Sequence, residues 1–195
     1  IKKGNVYGIL GPNGSGKSTT LGIVLNVVNK TSGTYSWFGG EMETHEALKK
    51  VGAIIERPNF YPYMTAEQNL KLVCKIKGTD YSKINEKLEI VGLLDRKDSK
   101  FRTFSLGMKQ RLGIAAAIMH EPELLILDEP TNGLDPIGIQ EMRNFLLDLC
   151  EEKQVTIIIS SHILSEIEQV ADLIGVIHKG KLLEEITIGE LRKRN

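Results

Sequence analysis

A stretch close to the start of the chain has the residue types and spacing of a phosphate cradle. Gly11, Pro12, Asn13, Gly14, Ser15, Gly16, Lys17, Ser18 and Thr19 fit the pattern G-x-x-x-x-G-K-[ST]. Glycines let successive backbone N–H groups turn inward and meet phosphate oxygens. A helix beginning after the loop presents its positive end to the same anion. Lys17 is a point charge for the β- and γ-phosphates of a nucleotide, and the Ser18 hydroxyl is a ligand for Mg²⁺. Asn13 to Thr19 are the expected nucleotide-binding residues. The apolar run Val6–Leu10 before the loop and the helical run Thr20–Val28 after it supply the strand and helix that the chemistry requires.

The second chemical group is a pair of acids. Leu124–Leu127 is a continuous apolar run that leads straight into Asp128, Glu129 and Pro130. Two carboxylates at the end of a buried strand are costly unless they have a partner. The carboxyl end of a parallel strand is also where open α/β sheets bind ligands. Mg²⁺ at the cradle is the natural partner, with Asp128 holding the metal and Glu129 polarising the water that attacks the γ-phosphate.

These groups need a scaffold. Val6–Leu10, Leu124–Leu127, Val155–Ile159 and Leu173–Ile177 read as buried strands, continuous rather than alternating, as in parallel sheets covered on both faces. Met142, Phe145, Leu146 and Leu149 mark a helix between the second and third of these. Leu164, Ile167 and Ala171 mark a shorter one before the fourth. This alternation predicts an α/β layered fold. The middle of the chain differs. Thr65 to Gln68 reads as a capping box, followed by Leu70, Val73 and Cys74 on one face. Tyr81, Ile84, Leu88 and Val91 form a second stripe, and Met108, Leu112, Ala115 and Met119 a third. Residues from about 60 to 120 therefore read as an all-helical insertion. Short hairpins are expected at Thr34–Trp37 with Gly39 and Gly40, and at Ile177–Leu182 with its turn at Lys179 and Gly180.

The 195 residues predict one domain with room for a subdomain. Lys+Arg and Asp+Glu are 25 each, which argues against a nucleic-acid partner. No stretch approaches the ~20 apolar residues of a membrane span. Cys74 and Cys150 read as reduced structural thiols. The chain opens at Ile1, directly before a strand that already carries a motif, so truncation at the N-terminus, and at the C-terminus as well, is the expectation.

Two further segments carry a family resemblance. Phe104, Ser105, Leu106, Gly107, Met108, Lys109, Gln110 and Arg111 resemble the ATP-binding-cassette (ABC) signature, usually written L-S-G-G-Q followed by Q-R. Ser160, Ser161 and His162 resemble the segment bearing the family's switch histidine, and Gly133, Leu134, Asp135 and Pro136 match the loop after the acids. The order of the motifs is that of ABC transporter cassettes over essentially the whole chain.

The resemblance implies a P-loop NTPase (RecA-like) core with a mostly parallel sheet, a small antiparallel β part and an inserted helical subdomain. The core is expected at about 1–58 and 121–195, and the helical subdomain at about 59–120. It also implies an ATPase that works with ATP and Mg²⁺ on the cytoplasmic face of the cell membrane, through separate transmembrane permease subunits. Two cassettes, as a homodimer or pseudo-dimer, would close around ATP. Each site would take its cradle, acids and His162 from one subunit and Ser105, Gly107 and Gln110 from the other, with Asp135 contacting the partner. His162 is then a γ-phosphate sensor. Ser105 also reads physically as a helix cap, and its hydroxyl, the Gly107 N–H and the helix end would face an anion.

Departures from the family pattern narrow the expectation. Where most cassettes have Gln in the loop joining core to helices, this chain has Glu56, a carboxylate able to coordinate Mg²⁺ or hold the attacking water. Glu56, together with the Ser105–Arg111 segment, resembles the bacitracin and lantibiotic-immunity type of exporter cassette. Leu106 replaces the first Gly of the signature and Met108 its Gln, whereas Ser105 and Gly107 remain. The aromatic on which the family stacks adenine would lie upstream of Ile1, and Tyr7 is expected to be a packing residue. Non-transport ABC ATPases with long coiled coils or tandem cassettes, and small-molecule kinases, fit the motif order less well. A nucleotide-gated module without hydrolysis is disfavoured by Glu129. Cargo is expected to be read by the membrane subunits, with docking near Asn59–Met64, where Tyr61 and Tyr63 are candidate contacts.

Overall fold

The computed structural model describes residues 1–40 and 42–194. Six strands form one sheet: β1 (Val6–Leu10), β2 (Val51–Ile54), β3 (Leu124–Asp128), β4 (Thr156–Ser161), β5 (Leu173–His178) and β6 (Lys181–Thr187). Their order is β2-β3-β4-β1-β5-β6. All pairings are parallel except β5 with β6.

The continuous apolar runs have the expected cause, because both faces of the sheet are covered. Leu125, Leu127, Ile157 and Ile159 belong to one core cluster. Ile126 and Ile158, which alternate with them, belong to another together with Leu21 and Trp37. Successive strand residues point to opposite faces, so each strand serves both layers.

Eight helices surround the sheet among the described residues: α1 (Lys17–Val24), α2 (Thr44–Leu48), α3 (Ala66–Lys77), α4 (Lys83–Ile90), α5 (Leu106–Ala117), α6 (Pro136–Lys153), α7 (Leu164–Ile167) and α8 (Ile188–Arg194). Helices α3 to α5 lie between β2 and β3 in chain order. The Thr65 capping box is formed: Thr65 Oγ1 accepts from Gln68 N at 3.1 Å, and Gln68 Oε1 accepts from Thr65 N at 2.9 Å. Gly78, in the left-handed region at φ 69°, ends α3. Thr65→Ala is expected to destabilise the protein by about 1 kcal/mol in chemical denaturation, because it orphans a helix N–H. At α6, Asp135 caps Gly138 N at 3.0 Å and Pro136 takes the first helical position.

Two local expectations are corrected, and one strand is added. The Thr34–Trp37 hairpin is reduced to a single antiparallel bridge between Trp37 and Met42. Phe38, Gly39 and Gly40 all have positive φ, which coils the chain too tightly for a ladder, and Trp37 is instead buried in the core. The predicted stripe of α7 ends early, at Ile167. The turn that follows folds both Ile167 and Ala171 over Gly8, where a Cβ would lie 2.4 Å from Ile167 Cγ2 and 3.2 Å from Ala171 Cβ. β2 was not anticipated, since its four residues include Gly52. Gly52 is there because α5 crosses β2 closely, and a Cβ would lie 2.3 Å from the Ala117 carbonyl oxygen. The β5–β6 hairpin and its turn at Lys179 and Gly180 are present as expected.

Candidate active site

β1 delivers the chain to the cradle and α1 takes it away. Gly14 and Gly16 lie at φ 77° and 107°, a region that L side chains enter with strain. Gly11 is needed for a different reason: a Cβ there would sit 2.3 Å from the Ile177 carbonyl oxygen and 2.5 Å from Ser15 Oγ. The loop is braced internally by Ser15 N donating to Pro12 O at 3.1 Å. It is braced from the β5–β6 turn by Gly180 N donating to Ser15 O at 2.7 Å. Ser15 is buried, and its Oγ has no hydrogen-bond partner among the described residues. Asn13, Gly14, Ser18 and Thr19 are exposed around the rim.

Lys17 is 4 % exposed and lies along the loop floor. Its Nζ donates to Gly11 O at 2.8 Å and Pro12 O at 3.3 Å. It also pairs with Glu129 Oε1 at 3.1 Å. The other Glu129 oxygen, Oε2, is 2.8 Å from His162 Nδ1. A carboxylate only accepts, so Nδ1 carries the proton in this arrangement and Nε2 is left for another partner. Lys17, Glu129 and His162 therefore form one chain of contacts across three adjacent strands, β1, β3 and β4.

Asp128, at the end of β3, is 3 % exposed and accepts from Ser160 Oγ at 2.5 Å. Ser160 Oγ in turn accepts from Glu129 N at 3.0 Å. Glu129 has φ 48°, which turns its side chain off the strand line. Sequence reasoning passed over Ser160 as part of the histidine segment. The β3–β4 register, Asp128 against Ser160, is what gives it a role.

The remaining expected site residues are distributed differently. Glu56 is exposed, at φ 62°, in the loop after β2. Ile54 pairs with Leu127, so this loop leaves the same end of the sheet as Asp128. Ser105 is exposed and caps α5, accepting from Met108 N at 3.3 Å. Gly107 faces the loop after the acids, since a Cβ there would lie 3.5 Å from Leu134 Cδ2. Gln110 is 3 % exposed, and its Oε1 has no partner among the described residues. None of these four makes a hydrogen bond or ion pair with the cradle or with Asp128, Glu129 and His162 among the described residues. Tyr7, partly buried, packs against the core and donates its hydroxyl to Glu185 Oε1 at 2.5 Å; burial, then Glu185, raises its pKa.

Residues 1–132 match the ABC transporter family. The chain is 54 % identical over 198 residues to the bacitracin transport ATP-binding protein BcrA of Enterococcus faecalis, with all of this chain and 64 % of the relative covered. It is 49 % identical over 185 residues to the lantibiotic transport ATP-binding protein SrtF of Streptococcus pyogenes, covering 95 % of this chain and 80 % of the relative. The chain thus spans just under two thirds of the length of the BcrA protein. Among solved structures it resembles cbiO1 of Clostridium perfringens, part of the ABC transporter complex cbiONQ, with TM-score 0.83, 27 % identity and coverage of 99 % of this chain and 81 % of that one. It also resembles the ATP-binding cassette MJ0796, solved as a dimer in a post-hydrolysis state bound to ADP and Pi, with TM-score 0.84, 25 % identity and coverage of 96 % and 87 %.

Proposed function

The chain belongs to the ABC transporter family, and on that premise we propose that it binds and hydrolyses ATP to drive export through separate membrane subunits. The observation that carries the reading is the contact chain Lys17–Glu129–His162 at the mouth of the cradle. It links a buried cation, a carboxylate and an imidazole beside the backbone N–H groups at the start of α1.

In this reading the γ-phosphate replaces Glu129 as the partner of Lys17. The residues from Asn13 to Thr19 cradle the phosphates. Ser15 Oγ, buried and without a hydrogen-bond partner among the described residues, is a further donor for the same anion. Release from Lys17 leaves Glu129 free to accept a proton from the attacking water. His162, already oriented by Glu129, directs Nε2 toward the phosphate. The oxygens of Ser18, Asp128 and Glu56 are hard donors of the kind Mg²⁺ takes, alongside phosphate oxygens and water. When bound, that ion would neutralise charge developing on the phosphates.

Ser105, exposed, and Gly107, half-buried, make no hydrogen bond with their own cradle among the described residues and suit a role on the ATP of a second cassette. Burial of Gln110 makes its contribution to that contact one through the support of α5. Asp135 would meet the partner as well. We assign residues 1–58 and 121–195 to the core and 59–120 to a helical subdomain that docks on the permease. Tyr61 and Tyr63 are 65 % and 74 % exposed there, with Arg102 stacked over Tyr63 at 5.5 Å. Among the described residues no helix is long and apolar enough to cross a membrane. The cassette would work from the cytoplasmic face, and the names of BcrA and SrtF favour a peptide antibiotic as cargo.

The direct test is Mg²⁺-dependent ATP hydrolysis by the full-length protein, alone and with its permease in membranes. Absence of hydrolysis in both would remove the ATPase reading. In the same assay Glu56→Gln is expected to keep ATP affinity and to lower permease-stimulated turnover about tenfold, the scale at which groups around a metal act. Unchanged stimulated turnover would remove Glu56 from coupling.

A further inference from the structure

We propose that Glu166 is a positioning residue for hydrolysis, tying together the two loops that carry Glu129 and His162. The inference rests on the ATPase reading above. β3 and β4 are paired only as far as Asp128 and Ser160, so both loops leave the sheet just where the reacting groups lie. Glu129 N still reaches back to Ser160, at 3.2 Å from its carbonyl and 3.0 Å from its hydroxyl. Just beyond that point the loop after β3 and the last residue of β4 converge on a single carboxylate oxygen.

Glu166 Oε2 accepts from Thr131 Oγ1 at 2.7 Å and from Ser161 Oγ at 3.0 Å. Thr131 lies two residues after Glu129, and Ser161 directly precedes His162. Ser161 Oγ also accepts from Ile163 N at 3.0 Å, so the hydroxyl is held from the other side of His162 as well. Thr131 and Ser161 are 7 % and 3 % exposed, and buried hydroxyls that lose their acceptor cannot turn to bulk water. Glu166 also lines the same small cavity as Glu129 and His162.

The tie has something to hold. Glu129 sits in the left-handed region, and such a conformation persists only where its surroundings over-determine it. The 2.8 Å contact between Glu129 and His162 joins the two loops where they leave the sheet, and Glu129 must part from Lys17 when the γ-phosphate arrives. The Glu166 bridge lies off the reaction path and can keep the loops spaced while it does.

The test uses the full-length protein with its permease. Mg·ATP turnover is measured together with ADP affinity by calorimetry. Glu166→Ala is expected to lower kcat by about 10- to 100-fold, the cost of misplacing a reacting group by ~1 Å, with ADP affinity held within about twofold. Glu166→Gln keeps one acceptor oxygen and should recover part of the loss. Thr131→Val and Ser161→Ala should each reproduce part of it. In a Thr131→Val background, adding Glu166→Ala should lower turnover by less than it does in the wild-type protein, because residues acting through one another are not additive. An unchanged kcat overturns the proposal. So does an equally large loss in the Thr131→Val background, or an ADP affinity that falls in step with kcat, which marks a merely structural residue. If the alanine variant fails to fold, Glu166→Gln and Thr131→Val carry the same comparisons. A wild-type protein with no Mg·ATP turnover at all is a separate result, which removes the ATPase reading itself.

Discussion

Glu129→Gln is expected to bind Mg·ATP, lose turnover by about 10²- to 10⁴-fold, and accumulate as a dimer in solution. The amide keeps the shape of the carboxylate but cannot take a proton from water. The structure adds a second expectation. Glu129 is the anion that satisfies Lys17, at 3.1 Å, and side-chain exposure of the two is only 17 % and 5 %. ATP must displace it. Replacing Glu129 by a neutral amide weakens that competitor and removes a like charge beside the γ-phosphate. ATP affinity should therefore rise, by about tenfold if one charge-assisted contact is relieved.

The measurement is mass in solution with Mg·ATP and with Mg·ADP. A dimer with ATP and a monomer with ADP would support the shared-site mechanism, and with it the roles of Ser105, Gly107 and Glu129. A monomer in both, with ATP demonstrably bound, would mean that the signature does not close on ATP without the permease. An unchanged rate of hydrolysis would remove Glu129 as the base.

Lys17→Ala is expected to weaken ATP binding by about 1.5–3 kcal/mol, roughly 10- to 150-fold, the range for hydrogen bonds to charged groups. The loss should be larger for ATP than for ADP, because Lys17 addresses the γ-phosphate as well as the β. Calorimetry with both nucleotides checks this, and equal losses would place Lys17 on the diphosphate alone. The substitution also strips Glu129 of its cation. Glu129 keeps His162 at 2.8 Å, so the fold should tolerate the change, with the residual contact shifted toward the imidazole. Wild-type ATP affinity in Lys17→Ala would sink the cradle assignment altogether.

Much of this site was legible in the sequence because its parts are locally encoded. The cradle needs glycines at φ 77° and 107° and a helix directly after them, and both requirements are written in consecutive residues. The Thr65 box and the Ser105 cap are similarly local, since each side chain meets a backbone N–H three residues on. The strands β1, β3, β4 and β5 were readable because burial on both faces leaves an unbroken apolar run. β2 was not, because its Gly52 answers to α5 rather than to its own neighbours. The early hairpin failed for the converse reason. Its residues suit a turn, but three successive positive φ values and the burial of Trp37 prevent a ladder.

By itself the sequence determined which chemistry is available: a phosphate cradle with a lysine, two acids at a strand end, and a histidine after another strand. Those assignments depend on dihedral preference, helix capping and the period of burial, all of which act over a few residues. Only the tertiary structure decided how these groups meet. The sheet order sets β4 between β3 and β1, and that adjacency brings His162 to Glu129 and Glu129 to Lys17. It also sets Ser160 against Asp128, and the fold around it brings Thr131 and Ser161 to one oxygen of Glu166. Which parallel strands adjoin is settled by packing between segments far apart in the chain, and no local pattern carries that information.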